Sequence, residues 1–316
     1  GFPVFPVSAL HGRGFDDLMT EVLKELPPQI EILSDGEADE KDCLKVAVAG
    51  RPNVGKSSFI NKLLRAERVL VSDEPGTTRD SIDVPFSVEG RKYILIDTAG
   101  ARREGRIASA IDRYSRYRME ESIERADVVV LMLDASRGLG LLDKQLAGQI
   151  SEAGKGCVII VNKWDLSEVT EREFSSELAY QMKFMSYCPI IFMSAKTGMN
   201  VNHALVAIEY VATQCNATLP TGLLNRVLSQ AYNSISVPIK GGRPLKMYYA
   251  TQVGYNPIRV RIFVNDTRRL PGHYSQFLVN TLRKEFGLEG AVVRLQFRAR
   301  TRDSGKKKTA SRSKKR

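Results

Sequence analysis

Two hydrophobic periods alternate along the chain up to about residue 215. Short apolar runs predict strands at residues 45–49, 82–88, 92–96, 127–133, 157–161 and 189–193. Between them, apolar positions recur at helical spacing over residues 56–64, 113–125, 142–153 and 201–213. Such alternation predicts an α/β unit, a mostly parallel sheet with helices on both faces. From Pro220 the texture changes to a helix at 223–234, strands at 246–252 and 260–265, a helix at 274–286 and a strand at 291–297. That order predicts a second, smaller α+β layer.

The polar stretches mark the borders. Residues 31–42 read EILSDGEADEKD, with six acids and one lysine, a composition that will not pack and reads as a linker. Ahead of it, the segment Phe5-Pro6-Val7-Ser8-Ala9-Leu10-His11-Gly12 echoes Phe192-Met193-Ser194-Ala195-Lys196-Thr197-Gly198. Each copy ends a short apolar strand, makes a Ser-Ala turn, reaches Gly four residues after the Ser and enters a helix. The expected division is therefore residues 1–30 as the end of an earlier copy of the α/β domain, 31–43 as acidic linker, 44–215 as the complete α/β domain, 216–298 as the small domain and 299–316 as a basic tail. A strand and a helix cannot close a core alone, so a piece of a longer protein is expected.

Composition narrows the class. With 316 residues, 43% hydrophobic and 26% charged, the chain suits about two folded domains and excludes collagen-like, coiled-coil and wholly disordered classes. The longest strongly apolar runs, 128–133 and 157–161, fall far short of the roughly 18 residues of a membrane helix. The opening residues lack the basic head and apolar run of a secretory signal. Four scattered cysteines without a Cys-x-x-Cys pair argue for reduced thiols in a cytoplasmic setting and against a zinc site. The net charge of +11 is concentrated: residues 298–316 hold ten Lys/Arg against one acid, Asp303. Such a tail cannot bury a core. It attracts nucleic-acid phosphates by releasing counterions, or else serves solubility alone.

The chemistry begins at Gly50-Arg51-Pro52-Asn53-Val54-Gly55-Lys56-Ser57, a G-x-x-x-x-G-K-[ST] string between a strand and a helix, continued by Ser58. Its glycines let backbone N–H groups turn inward around phosphates at the positive end of a helix. Lys56 reaches the β- and γ-phosphates, and the Ser57 hydroxyl suits Mg²⁺. Asn162-Lys163-Trp164-Asp165 follows a buried strand, at the edge where ligands of such sheets bind. An Asp165 carboxylate can accept both the N1–H and the exocyclic amine of guanine, whereas adenine would leave it unpaired. Ser194-Ala195-Lys196 ends the last strand and places a backbone N–H for the guanine oxygen. Asp97-Thr98-Ala99-Gly100 offers a carboxylate for Mg²⁺ through water and the Gly100 N–H for a γ-phosphate. Thr77 and Thr78, in the intervening loop, offer a hydroxyl to the same ion. The histidines His11, His203 and His273 have no spaced partners, and no Ser/His/Asp set or paired-carboxylate site is present in the sequence.

In this order and spacing the five elements resemble the translational-factor-like GTPases, in the Era-like branch. Together with the Ser-Ala echo, the acidic linker and the small C-terminal domain, they resemble the double-Era-like Der (EngA) family. Asn256-Pro257, Phe263-Val264-Asn265, Leu270-Pro271, Tyr274, Leu278, Asn280, Arg283, Phe286, Gly290 and Phe297-Arg298 are similar to the pattern of that family's KH-like domain. The resemblance implies a P-loop GTPase fold followed by a KH-like domain, GTP binding and hydrolysis to GDP with Mg²⁺, and a role in assembly of the large ribosomal subunit. It implies 50S precursors and 23S rRNA as partners, contact between the G domain and the KH-like domain, a cytoplasmic location and a monomer. In related GTPases an Asn at the position of Asn53 ligates K⁺, so K⁺ stimulation through Asn53 is implied as well.

The sequence departs from relatives in two places. Ala101 stands where Ras-like enzymes carry a water-orienting Gln, so positioning by Asn53, Lys56, Thr78 and Gly100 rather than side-chain acid–base chemistry is expected to drive turnover. The only G-x-x-G string near the C-terminus, Gly287-Leu288-Glu289-Gly290, contains a glutamate and lies in a helix-to-strand turn, which disfavours it as a nucleic-acid clamp. Lys240, Arg243, Lys246, Arg259, Arg261 and the tail are better candidates. Arg102, Arg103 and Arg106 follow Gly100 and form either a switch surface or a solvated face. A nucleotide-gated RNA-binding module with incidental turnover is the alternative to a GTPase switch.

Overall fold

The computed structural model describes residues 43–65, 69–71, 83–97, 111–234, 239–240, 243–269 and 272–299. The Ser8-Ala9 echo, the acidic linker, Thr77, Thr78, Gly100, the three arginines after it and the tail from residue 300 lie outside the described residues.

Strands β1 (Leu44–Gly50), β2 (Val69–Val71), β3 (Val84–Val88), β4 (Arg91–Ile96), β5 (Val128–Asp134), β6 (Gly156–Asn162) and β7 (Ile190–Phe192) form one sheet in the order β2-β3-β4-β1-β5-β6-β7. β5 and β6 are buried at every position, as continuous β-branched and apolar runs must be in the middle of a sheet covered on both sides. β4, β1, β5, β6 and β7 pair in parallel, and β2 and β3 add an antiparallel edge. The β3–β4 turn is Glu89-Gly90, both with positive φ (50° and 83°), a backbone whose twist matches the flanking strands.

Helices α1 (Lys56–Leu64), α2 (Ile111–Arg125), α3 (Leu141–Ala153), α4 (Glu171–Gln181) and α5 (Val201–Cys215) connect these strands. The doubly covered, mostly parallel sheet expected from the alternating pattern is present, with strand ends shifted by one or two residues. Helix α4 is additional to that expectation. Its start is fixed locally: Thr170 Oγ1 accepts from the Glu173 amide at 3.3 Å, and the Glu173 carboxylate accepts from the Thr170 amide at 2.8 Å.

The small domain runs α6 (Thr221–Ser234), the two-residue strands β8 (Ile239–Lys240) and β9 (Arg243–Pro244), β10 (Met247–Gly254), β11 (Ile258–Val264), α7 (Gly272–Phe286) and β12 (Val293–Ala299). β10 and β11 are antiparallel, β11 and β12 parallel. Leu224, Val227 and Leu228 of α6 and Leu278 and Leu282 of α7 bury one sheet face, whose side chains are Ala250, Val260 and Ile262.

The two domains share a core that runs from Val46 through Val211 and Leu219 to Val293. At their seam the Gly290 amide donates to the Tyr187 carbonyl at 2.7 Å, and the Cys157 amide donates to the Gly290 carbonyl at 2.9 Å. The Arg283 guanidinium lies 3.8 Å over the Tyr187 ring. Arg294 donates to the Glu152 carbonyl at the end of α3, where the helix dipole is negative. The expected contact between the G domain and the KH-like domain is thus present, and Gly290 of the turn disfavoured as a nucleic-acid clamp joins it together with Arg283, Arg294 and Asn256, whose amide donates to the Cys215 carbonyl at 3.2 Å. Gly290 has φ 73°, and a Cβ there would strike Val211 and lie 3.1 Å from the Cys157 carbonyl oxygen. Only glycine fits that approach.

Candidate functional site

The phosphate loop leaves β1 at Gly50 and enters α1 at Lys56. Lys56 is 6% exposed, and its ammonium donates to the carbonyls of Gly50 (3.0 Å) and Arg51 (2.9 Å), so the charge sits inside the loop's curve. Val54 is buried, while Pro52 and Asn53 face solvent. Asn53 has φ 64°, a conformation its short side chain tolerates, and its carboxamide makes no hydrogen bond among the described residues. Gly55 (φ 101°) precedes α1, and a Cβ there would collide with the Asn162 amide nitrogen. Backbone N–H groups at this helix start, with the buried ammonium beside them, form an anion cradle. Ser57 is half-buried in the first turn and Ser58 is exposed.

Asn162 joins the two ends of the site. It is 2% exposed; its Nδ2 donates to the Val54 carbonyl at 2.7 Å, and its Oδ1 accepts from the Ala195 amide at 2.9 Å. The phosphate loop and the Ser194-Ala195-Lys196 turn are therefore tied through one carboxamide. Because the Ala195 N–H is engaged by Asn162, the Lys196 N–H is the donor of this turn without a partner among the described residues. Ser194 is fully buried and its hydroxyl accepts from the Thr197 amide at 3.2 Å, shaping the turn.

Lys163 adopts φ 60°, and its ammonium meets Asp134 Oδ2 at 2.6 Å. Asp134 ends β5, is 1% exposed, and also accepts from the Ser136 amide (3.0 Å) and hydroxyl (2.7 Å). Burial pushes its carboxyl up, but Lys163 and Ser136 together outweigh that and hold it below the usual carboxylate range. The Trp164 amide donates to the Met193 carbonyl at 3.0 Å, which leaves Asp165 exposed at the sheet rim with a carboxylate that accepts no hydrogen bond among the described residues.

Two acids absent from the sequence-based candidates carry the site's support. Asp134 holds Lys163. Asp143, wholly buried near the start of α3, pairs with Arg51 Nε at 3.0 Å and accepts from the Gly140 amide at 2.9 Å. Arg51 also donates to the Gly138 carbonyl at 2.7 Å. Burial pushes the Asp143 carboxyl up, against the pull of the Gly140 amide and Arg51. The sequence signal for both was a lone acid next to an otherwise apolar pattern, which does not name its partner.

Asp97 follows β4 with φ 49°, a strained position for a non-glycine residue; its amide donates to Asp83 Oδ1 at 3.1 Å, and Ser122 Oγ lies 3.5 Å from its carboxylate. The Ser57 hydroxyl and Asp97 carboxylate are hard oxygen donors of the kind Mg²⁺ takes. The described residues contain no group of three or more His, Cys, Asp or Glu side chains able to hold a metal alone.

A strand–loop–helix phosphate cradle, tied by a buried asparagine to a base-side turn and followed by a KH-like layer, defines a P-loop GTPase with a KH-like C-terminal domain. Residues 45–163 match the family model described as 50S ribosome-binding GTPase, and residues 218–298 match that of the KH-domain-like C-terminal domain of EngA bacterial GTPase enzymes. The chain is 46% identical over 306 residues to the GTPase Der of Caldanaerobacter subterraneus subsp. tengcongensis, covering 96% of this chain and 68% of that one. It is 45% identical over 303 residues to the GTPase Der of Thermoanaerobacter pseudethanolicus, with 95% and 67% covered. The chain belongs to the GTPase Der family, spans about two thirds of the length of these relatives, and is a GTP-binding, GTP-hydrolysing enzyme. A solved structure of Aquifex aeolicus Era bound to GDP and aluminium fluoride is similar at 19% identity and a TM-score of 0.41, over 81% of this chain and 92% of that one. No helix among the described residues is long and apolar enough to cross a membrane.

Proposed function

We propose that this chain is a GTP-driven switch in assembly of the large ribosomal subunit, acting as a cytoplasmic monomer on 50S precursors and their 23S rRNA. The observation that carries the nucleotide half of this reading is the double hydrogen bond of Asn162, which sets the phosphate cradle and the base-side turn in one frame. In that frame the exposed Asp165 carboxylate takes the N1–H and amine of guanine, and the Lys196 N–H takes its oxygen. The description of the matching family model as ribosome-binding supports the particle as partner. The echo at Ser8-Ala9 supports reading residues 1–30 as the end of a preceding G domain and 31–43 as its linker.

Ser57, Thr78 and Asp97 would hold Mg²⁺, and the Asn53 carbonyl oxygen would hold K⁺; when bound, these cations neutralise charge on the phosphates. The protein's own part is positional. Gly50–Ser58 amides and Lys56 cradle the phosphates, and Thr77, Thr78 and Gly100 bring the flanking loops to the γ-phosphate. Hydrolysis then releases those loops. With no Gln at position 101, turnover rests on positioning, and the particle supplies the stimulus.

Three measurements test the reading. Asp165→Asn shifts preference from guanosine to xanthosine nucleotides; unchanged GTP binding would undo the base assignment. Turnover is faster in KCl than in NaCl and loses that difference in Asn53→Ala. Single-turnover hydrolysis accelerates on adding 50S precursors; no acceleration favours the RNA-binding module instead.

A further inference from the structure

The small domain's sheet has two unlike faces. One packs on α6 and α7. The other carries, in register across β10, β11 and β12, the rows Tyr249–Phe263–Arg298, Thr251–Arg261–Gln296 and Gly254–Arg259–Arg294. Buried Ala250, Val260, Ile262 and Val293 alternate with these positions, so strand pleating places the rows on the open side. The rings of Tyr249 and Phe263 are stacked at 4.3 Å and 11°. Tyr249 stands on the edge strand and is 48% exposed, so a flat group can join the stack on its outer side. The three strands hold four arginines and no acid. Arg294 is engaged by the Glu152 carbonyl, and half-buried Arg261 donates through Nη2 to the Gln296 side chain at 3.3 Å while its buried Nε has no partner among the described residues; exposed Arg259 and Arg298, with that Arg261 nitrogen, remain for an anionic partner.

We propose that this open face is a stacking platform for single-stranded RNA, in which an unpaired base extends the Phe263–Tyr249 stack and Arg259, Arg261 and Arg298 meet the flanking phosphates. A flat aromatic pair set among cations, on strands that carry no acid, is the combination that single-stranded nucleic acid requires. Duplex RNA keeps its bases stacked internally and cannot use the rings. An acidic peptide could satisfy the arginines and would leave the stack idle. The proposal rests on RNA as the partner class. It places the contact on the sheet, away from the Gly287–Gly290 turn, which the G domain occupies.

The test is fluorescence anisotropy of a labelled oligouridylate with the full chain, run beside a duplex RNA of equal length and polyglutamate. Any binding by the basic tail would be common to single-stranded and duplex RNA, so the duplex measures its share. Tyr249→Ala is expected to weaken oligouridylate binding by roughly 5- to 150-fold, the loss of one base–aromatic stack, with duplex binding unchanged. Tyr249→Phe keeps wild-type affinity. Arg261→Gln reduces the slope of log affinity against log salt by about 0.7, one phosphate contact to a single strand. GDP binding by each variant reports that the chain is folded and that the nucleotide reading stands separately. Wild-type oligouridylate affinity in Tyr249→Ala overturns the proposal, as does an equal loss for duplex RNA or polyglutamate.

Discussion

The Arg51 guanidinium of the phosphate loop is clamped by the Asp143 carboxylate of α3 at 3.0 Å, with Asp143 fully buried. The other end of α3 receives Arg294 of the small domain on the Glu152 carbonyl. One helix thus touches the nucleotide cradle at its start and the neighbouring domain at its end.

Asp143→Asn keeps an acceptor for the Gly140 amide and removes the charge facing Arg51. Breaking this ion pair should cost between the roughly 1 kcal/mol of an exposed pair and the roughly 3–5 kcal/mol of a fully buried one, since Arg51 is 21% exposed and Asp143 wholly buried. Unfolding free energy in urea should fall by about 1–3 kcal/mol, with weaker GDP binding by calorimetry. Arg51→Lys should share most of the loss, since an ammonium cannot hold Asp143 and the Gly138 carbonyl in one planar fork. Unchanged GDP affinity in both variants would show that the clamp does not shape the loop.

Asp134 gives a pH dependence with a defined sign. Its carboxyl titrates below the ordinary value of 3.8 in the folded state, so the folded chain holds the anion that the unfolded chain protonates. The stabilisation is complete above about pH 4 and disappears as pH falls through the lowered value. The stability difference between wild type and Asp134→Asn should be constant from pH 5 to 7 and narrow below pH 4. A difference that widens on acidification contradicts the Lys163–Asp134 contact.

The domain seam is testable through its glycines. Gly287 and Gly290 have similar backbone angles (φ 65° and 73°), but a Cβ at Gly287 meets nothing within 4 Å. Gly287→Ala should carry only the backbone penalty, about 1–2 kcal/mol. Gly290→Ala adds a clash with Val211, so its melting temperature should fall further, and the Cys157 amide should exchange faster. Equal effects of the two substitutions would mean that the turn does not pin the domains.

Thiol chemistry should sort the four cysteines. Cys157, Cys188 and Cys215 are buried, and burial pushes the Cys188 thiol well up and that of Cys215 up to about 12. Half-buried Cys43 should alone react with iodoacetamide at pH 8 before unfolding. Mass spectrometry of the native protein finding label on Cys188 or Cys215 would refute this.

Much of the site was legible because it is local. The spacing of Gly50, Gly55, Lys56 and Ser57 dictates a loop between a strand and a helix, and the buried run before Asn162 dictates that its motif lies at the sheet's carboxyl edge. Helix α4 was equally legible in principle, since Thr170 and Glu173 announce its start, but its weak apolar pattern hid it between stronger segments.

The chain by itself therefore determined the class of domain and the guanine nucleotide it takes, since the motifs that carry both depend on neighbours a few positions away. Tertiary structure alone decided which distant groups support them: Asp143 behind Arg51, Asp134 behind Lys163, the Ala195 amide taken by Asn162, the Gly290 turn against Cys157 and Tyr187, and the pairing of Tyr249 with Phe263. Each of these joins different elements, most of them far apart in sequence, and a buried charge or a glycine carries no mark of its partner until packing brings the two together.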